Sequence, residues 1–529
     1  MQTRRRPGNR KGRVTRLRKR GGAPIAAGGA PIAAGGFGCV FRPPIRCTSR
    51  GPKHPYNETG VSKLMTQKHA KLEMAEVKRV ASYAQKIPNA SRYFLLDGIT
   101  TCTPGTLTAE DMKGFNDKCR GLKERGYTEE NINSKRGELQ LLNIPYGGED
   151  IDKFWSVWKR SKAGSAAKNK AFAETNTALV DLLLHGIRPL NNKGYAHMDL
   201  KGQNMLRSTD SGEVEVRVID WGLSGAIPAK GVARVAQDRV IQYNVPFSNI
   251  LFATHGWPER LKRDIKAIAP SAKLEDGSSL GRISAMRIVA YQQFYDIADT
   301  YGVGHLEYLR GVFHRLFSGP AGMHSSISKL EENALSPVTA AVEYNAAILD
   351  KYVDRTGKFD AAKYFREVFS KNVDVWGFLM AYLPLVDTAS TPWKAGTLEN
   401  AISRIICEYC FSSNYATRPI PVDKLARELL SLNAIVGQPT EARSRAVNKK
   451  KATPKKATPK KTALKRKKAT GSKTRKKVVV VDNLSDTRAK PKRITVVRRG
   501  APFKWDGKRC PSGSKRCRDD TAKCCPTGD

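Results

Sequence analysis

Two short stretches constrain this 529-residue chain more than any other: His197-Met198-Asp199-Leu200-Lys201-Gly202-Gln203-Asn204 and, sixteen positions on, Asp220-Trp221-Gly222. Between them Val214, Val216 and Val218 alternate with Glu215 and Arg217 beyond a Thr209-Asp210-Ser211-Gly212 turn, the period-two pattern of a half-buried hairpin. Such a hairpin carries the second motif back beside the first. A carboxylate, an ammonium and an amide within six residues, facing a second carboxylate, are what phosphoryl transfer requires. Asp199 can accept a hydroxyl proton, Lys201 can neutralise charge on the moving group, and Asn204 with Asp220 can hold metal ions. Little covalent chemistry is asked of the protein in such a reaction, so positioning and electrostatics dominate.

The rest of the chain is organised as strands first and helices afterwards. Segments around 37–41, 60–65 and 93–96 read as short strands, with a helix over 66–85 between the last two. A polar stretch at 103–137 reads as an inserted surface loop, and 138–151 as a strand running into a Gly147-Gly148 turn. An amphipathic helix is expected over Phe172–Leu190, and 250–435 is mostly helix-patterned. The class that fits is α+β, with a small sheet-rich part and a larger helical part.

On the motifs just quoted, the sequence resembles the eukaryotic-type Ser/Thr protein kinases. Residues 197–204 match the catalytic-loop pattern H-R-D-L-K-x-x-N and residues 220–222 match D-F-G. The resemblance implies a two-lobed fold, ATP and Mg2+ as cofactors, Asp199 as catalytic base with Lys201 beside it, and Asn204 and Asp220 as metal ligands. It also calls for an earlier lysine on a strand, paired with a glutamate on the next helix. Lys63 in Gly60-Val61-Ser62-Lys63-Leu64-Met65 answers the first requirement, and Glu76 is the expected partner, with Glu73 as the alternative. Counted back from Val40, the phosphate-covering pattern G-x-G-x-x-G-x-V finds Gly38 and Gly35 in place but Ala33 where the first glycine belongs. Phe37 would then form the loop tip and Val40 an adenine contact. Tyr146 and Gly147 are expected to face the adenine edge with backbone groups, and Asp374 to brace the catalytic loop.

Departures from the pattern matter too. Met198 stands where this family has an arginine that grips a phosphorylated activation loop, so activation by phosphorylation of that loop is not expected. Val245-Pro246-Phe247 falls at the A-P-E position without its glutamate, and the long interval before Asp374 implies a helical insert at about 250–373. Asp199-Leu200-Lys201-Gly202-Gln203-Asn204, Trp221, the Asn244-x-Pro246-Phe247-Ser248 stretch in place of A-P-E and the long insertions together resemble the divergent branch of the family found in large DNA viruses.

Charge divides the chain further. Residues 1–20 hold ten Lys/Arg and no acid, and residues 441–529 hold 30 basic and 7 acidic residues, so most of the net +44 sits in the tails. Basic, Pro-rich blocks of this kind cannot bury enough apolar surface to fold and bind polyanions by counterion release, which makes nucleic acid the expected partner. The domain layout read from sequence is a leader at 1–32, an N-lobe at 33–148, a C-lobe at 149–435, a basic Thr-Pro-Lys-Lys tail at 436–477 and a Cys-containing segment at 478–529. Thr453 and Thr458 in that tail are candidate sites of self-phosphorylation, and other basic proteins are the expected substrates.

Cys39, Cys47, Cys102, Cys119, Cys407 and Cys410 read as free thiols of a reducing compartment, while Cys510, Cys517, Cys524 and Cys525 could staple a small knot. No apolar run is long enough to span a bilayer and no secretory leader is evident, so an unsecreted, intracellular protein of host cytoplasm or nucleus, or one packaged in a virion, is expected, with no membrane partner. The competing reading is a catalytically silent, kinase-shaped packaging protein that binds nucleic acid.

Overall fold

The computed structural model describes residues 29–35, 38–48, 60–161, 165–254, 256–271, 281–317, 337–386 and 397–437, together with three short strands near the C-terminus. Contacts divide the chain into two compact units, Met1–Thr458 and Pro459–Asp529.

A five-stranded antiparallel sheet is built from β1 (Pro31–Gly35), β2 (Gly38–Phe41), β3 (Val61–Thr66), β4 (Thr100–Cys102) and β5 (Leu139–Ile144), in the order β1-β2-β3-β5-β4. Its register sorts the side chains onto two faces. Cys39 opposes Leu64, which opposes Leu141, and these residues with Phe41 and Leu139 form one buried face. Val40 opposes Lys63, which opposes Leu142, so Lys63 lies on the other face, as the period of two demands.

The 103–137 stretch is not the surface loop expected. It folds into short helices at Ala109–Met112, Phe115–Lys118 and Arg120–Lys123, and packs Phe115, Leu122, Tyr127 and Ile132 against the Cys39/Leu64/Leu141 face. Its polar composition hides a few apolar residues that all point the same way. Disulfide Cys39–Cys119 ties this segment to β2, and Cys47–Cys102 ties the stretch after β2 to β4, correcting the expectation of free thiols for those four residues. Pairs 80 and 55 residues apart leave no spacing signal, because only the folded sheet makes them neighbours. Cys407 and Cys410 are free and buried.

Helix α1 (Gln67–Ala84) follows β3 without a loop. Thr66 caps it by accepting the His69 N–H, and Ala70, Val77, Val80 and Ala84 form its buried stripe. The strand expected at 93–96 is instead a helical turn, Ala90–Tyr93, after which Phe94 forms a single parallel bridge to Val218. A run of four apolar residues cannot separate a strand from a buried turn.

The chain then passes to the helical part through residues 145–148. Short strands follow at β6 (Glu149–Asp150), β7 (Tyr195–Ala196), β8 (Met205–Ser208), β9 (Glu215–Val218) and β10 (Gly225–Ala226). The expected hairpin is β8 with β9, β6 pairs on its other side, and β7 pairs with β10. Helix Ser165–Asp181 runs through a wider turn, Leu182–Ile187, into Arg188–Asn192, and buries Phe172, Leu179, Leu183 and Leu190. Helices Trp257–Ser271, Arg282–Tyr301, Leu306–Phe317 and Pro337–Tyr352 occupy the expected insert, but they share one apolar core with Trp376 and Phe411. Phe247, in the Val245-Pro246-Phe247 stretch, lies 5.3 Å from the Trp376 ring and 5.8 Å from that of Phe411. An aromatic cluster thus anchors the place where a glutamate was missing.

In the second unit, β11 (Phe503–Lys504), β12 (Ser514–Arg516) and β13 (Lys523–Pro526) form an antiparallel sheet with β13 in the middle. The tip residue Phe37, most of the leader, the Thr-Pro-Lys-Lys tract with Thr453 and Thr458, two further stretches whose sequence reads as strands, 476–483 and 493–500, and the side chains of Cys510, Cys517, Cys524 and Cys525 lie outside the described residues. Among the described residues no helix is long and apolar enough to cross a membrane.

Candidate active site

Lys63, in the middle of β3, reaches across to the helical part. Its Nζ donates to both Glu73 carboxylate oxygens at 2.8 Å and lies 3.7 Å from Asp220 Oδ1. Burial by itself would pull the ammonium's pKa down, but the Asp220 and Glu73 carboxylates outweigh it and hold the pKa above the ordinary lysine value. Burial also raises the Glu73 pKa, against the pull of Lys63. For Asp220 burial is again the largest influence, yet Lys63, His197 and Lys201 together leave its pKa below the usual carboxylate value.

The partner of Lys63 is therefore Glu73 and not Glu76. Glu76 bonds Arg79 at 2.6 Å, and its other oxygen lies 3.4 Å from the Tyr195 hydroxyl. Three residues along a helix leave the two glutamates only about 60° apart on one face but about 4.5 Å apart along the axis, and only Glu73, the one nearer the strand, reaches Lys63. Which one does is fixed by how α1 leaves β3.

Asp199 lies at the end of an extended loop after β7, and its side chain is 10 % exposed. Both of its oxygens are engaged. Oδ1 accepts from Asn244 Nδ2 at 2.9 Å, and Oδ2 accepts from Lys201 Nζ at 3.1 Å and Asn204 Nδ2 at 3.3 Å. Asn204 also donates to the Asp199 carbonyl at 2.9 Å, while its own carbonyl accepts the Ile219 N–H at 3.0 Å, tying this loop to the end of β9. Gly202 approaches Asp152 so closely that a Cβ there would stand 1.8 Å from Asp152 Oδ1. Only glycine fits.

His197 fixes the loop internally. Its Nε2 lies 2.9 Å from the Ile219 carbonyl, which can only accept, and its Nδ1 faces the Asp199 N–H, which can only donate, so the ring carries its proton on Nε2. The Trp221 ring packs 4.8 Å from His197 and 5.6 Å from Phe94, as a bulky apolar side chain can. Below the loop, the Asp374 carboxylate accepts the His197 and Met198 N–H groups at 2.8 Å each and the Asn191 side chain at 2.7 Å. Met198 and Asp220 both have positive φ, +58° and +63°, a conformation non-glycine residues keep only where surrounding contacts impose it.

The other expected residues fall around this cluster. Gly35 and Gly38 pair across the β1–β2 turn, and Val40 sits beside Lys63 on the same sheet face. Tyr146 and Gly147 lie in the segment joining the sheet to the helical part. The Arg42 guanidinium stacks over the Tyr146 ring at 3.6 Å, and Gly147 packs tightly against Leu206 and Leu95. Asn244 and Arg239 also touch the Asp199 carboxylate or its loop; Arg239 belongs to no motif visible in the sequence, and Asn244 opens the Asn244-x-Pro246-Phe247-Ser248 stretch, which carried no hint of this contact. A surface depression of about 520 Å³ along helix Trp257–Ser271, lined by Glu259, Lys262, Arg263, Lys266 and Ala267, includes none of these residues.

No family model matches the chain. It is similar to the calcium/calmodulin-dependent protein kinase type 1B of Rattus norvegicus, Homo sapiens and Mus musculus, at 25 % identity over 171 residues, which is 32 % of this chain and 41 % of each relative. The chain thus spans about two-fifths of the length of the curated relatives it matches. This similarity supports a distant protein-kinase-like relationship. A mixed α/β structure with a small sheet region and a helical region is compatible with it.

Proposed function

We propose that the chain is a two-lobed Ser/Thr protein kinase that uses ATP and Mg2+ to phosphorylate protein hydroxyls. The observation that supports this most is the meeting of Lys63, Glu73 and Asp220, with Nζ–Oδ1 at 3.7 Å, on the open face of the sheet. In this reading Lys63, steadied by Glu73, binds the α- and β-phosphates, and Gly35 and Gly38 carry the turn that covers them. Val40, Tyr146 and Gly147 border the adenine. Asp199 orients the substrate hydroxyl and takes its proton, and Lys201, 3.1 Å away, neutralises charge nearby.

The residues present also fit a metal ion. Asp220 is 45 % exposed, and among the described residues its side chain makes only the long contact to Lys63. Asn204 turns its amide nitrogen toward Asp199, which leaves its Oδ1 without a hydrogen bond among the described residues. Two oxygens suit Mg2+, which fills its remaining positions with phosphate and water. When bound, the metal–nucleotide complex supplies the phosphoryl group and screens its charge.

Placement in the branch found in large DNA viruses rests on Asp199-Leu200-Lys201-Gly202-Gln203-Asn204, Trp221, the Asn244-Val245-Pro246-Phe247-Ser248 stretch and the long insertions. Nucleic-acid binding by the tails rests on their charge; its test is a steep fall in DNA affinity with rising salt. The kinase reading is tested by transfer of labelled γ-phosphate to histone, a basic protein. Asp199→Asn should lower the rate at least about 100-fold, the usual share of a general base. Equal transfer by both proteins would remove Asp199 from the chemistry.

A further inference from the structure

Met198 stands where a related kinase would hold an arginine, yet an arginine does reach this loop from elsewhere. Arg239, in the segment that follows Asp220-Trp221-Gly222, is buried to 9 % side-chain exposure. Its Nη1 donates to the Met198 carbonyl at 2.7 Å, and its Nη2 bonds Gln242 Oε1 and lies 3.6 Å from Asp199 Oδ1. Met198 is the loop's positive-φ residue, and Asp374 holds its N–H from the opposite side. Met198, the residue that leads into Asp199, is therefore held at its N–H and at its carbonyl by charged side chains.

The segment carrying Arg239 is held in turn by the helical stretch at 250–373. The His305 N–H donates to the Ile241 carbonyl at 2.8 Å, and Gly304, at φ +54°, approaches so closely that a Cβ would stand 2.2 Å from that oxygen. From the other side Trp376 Nε1 donates to the Tyr243 carbonyl at 2.9 Å. Between Asp220 and Pro246 the only hydroxyl-bearing residues are Ser224 and Tyr243. Ser224 is 1 % exposed and its Oγ is engaged by the Trp221 carbonyl and the Tyr195 hydroxyl, each at 2.7 Å. Tyr243 is part-buried, its ring edge-on to Tyr308 at 4.8 Å. The segment thus offers no exposed serine or threonine for a phosphate.

We propose that Arg239 is a positioning residue that holds the catalytic loop in its working shape with no phosphate on residues 220–246, the stretch at 302–305 serving as its brace. This rests on the kinase reading above. Buried guanidinium charge is costly unless paired, and here every partner lies on the loop or within the segment itself, so the energy goes into fixing Met198 and Asp199. A misplacement of about 1 Å in a reacting group costs on the order of 100-fold in rate.

The test uses the full chain as wild type, Arg239→Gln and Arg239→Lys, each first checked for a cooperative thermal transition. For R239Q the expected result is a kcat about 100-fold lower with the KM for ATP within about twofold, and partial recovery in R239K, since a lysine still reaches the Met198 carbonyl. Peptide mapping of active wild type should find residues 220–246 unmodified, a measurement that needs no variant. The inference is overturned by a folded R239Q with kcat within about threefold of wild type, or by a phosphate on Ser224 or Tyr243 whose enzymatic removal lowers kcat. An inactive wild type would instead sink the kinase reading, and this inference with it.

Discussion

Exchanging Glu73 for glutamine removes a charge while keeping the side chain's shape, and so measures what the Lys63 ion pair contributes. Both partners are little exposed, 12 % and 13 %, so solvent screening is weak, and both Glu73 oxygens stand 2.8 Å from Nζ. The net value of a hydrogen bond between charged groups is about 1.5 to 3 kcal/mol, so full transmission to the bound phosphates lowers kcat/KM by about 10- to 150-fold. Glu76→Gln is the internal control. It weakens a pair with Arg79, which is 52 % exposed, and a 3.4 Å contact to Tyr195, so a change of no more than about threefold is expected. Steady-state phosphate transfer by purified wild type and both variants, at several ATP concentrations, provides the comparison. There is also a pH signature. Because Glu73 helps hold the Lys63 pKa up, E73Q should lose activity at a lower alkaline pH than wild type. An E73Q enzyme within about threefold of wild type, or an E76Q enzyme impaired as badly, would refute the pairing derived from the geometry.

Asp374→Asn leaves at least one of three donors without its acceptor in a site 1 % exposed, so it should cost about 2 to 4 kcal/mol in denaturant unfolding and depress kcat. Burial, then Asp150, raise the Asp152 pKa from 3.8 to about 6 despite Gln203 and Lys201. A raised folded-state pKa means stability that is full below about pH 4 and lost as the pH rises through 6. Asp152→Asn should therefore match wild type at pH 4 and exceed it at pH 7.5 by about 1 to 3 kcal/mol in the same unfolding assay. Reducing the two disulfides reopens loops of 80 and 55 residues, worth about 4 kcal/mol each by loop entropy, so dithiothreitol should lower the thermal transition; Cys119→Ser with Cys102→Ser should abolish that sensitivity, and Cys407→Ser should leave it intact.

What could be read from the sequence was local. Residues 197–204 and 220–222 lie on one hairpin, so spacing alone foretold their meeting. Lys63 was legible because alternation along β3 put it opposite the buried Leu64. The choice between Glu76 and its alternative Glu73 was not, since the phase of α1 relative to the strand depends on how the chain turns at Thr66, which no periodicity records. Arg239 and Asn244 reach Asp199 through tertiary packing; Arg239 carries no motif, and the Asn244-x-Pro246-Phe247-Ser248 stretch records nothing of the contact Asn244 makes. The segment 103–137 looked like a loop because its few apolar residues are spread among many polar ones, and its pairing with the sheet is also what joins the cysteines.

The most direct measurement is a crystal structure of the full chain with Mg2+ and a non-hydrolysable ATP analogue. In that complex Lys63 Nζ should lie against the α- and β-phosphates, still bonded to Glu73, with the metal held by Asp220 and Asn204 Oδ1 and the γ-phosphate facing Asp199. Nucleotide bound elsewhere, such as the depression along helix Trp257–Ser271, with Lys63 and Asp220 touching no phosphate or metal, would contradict it.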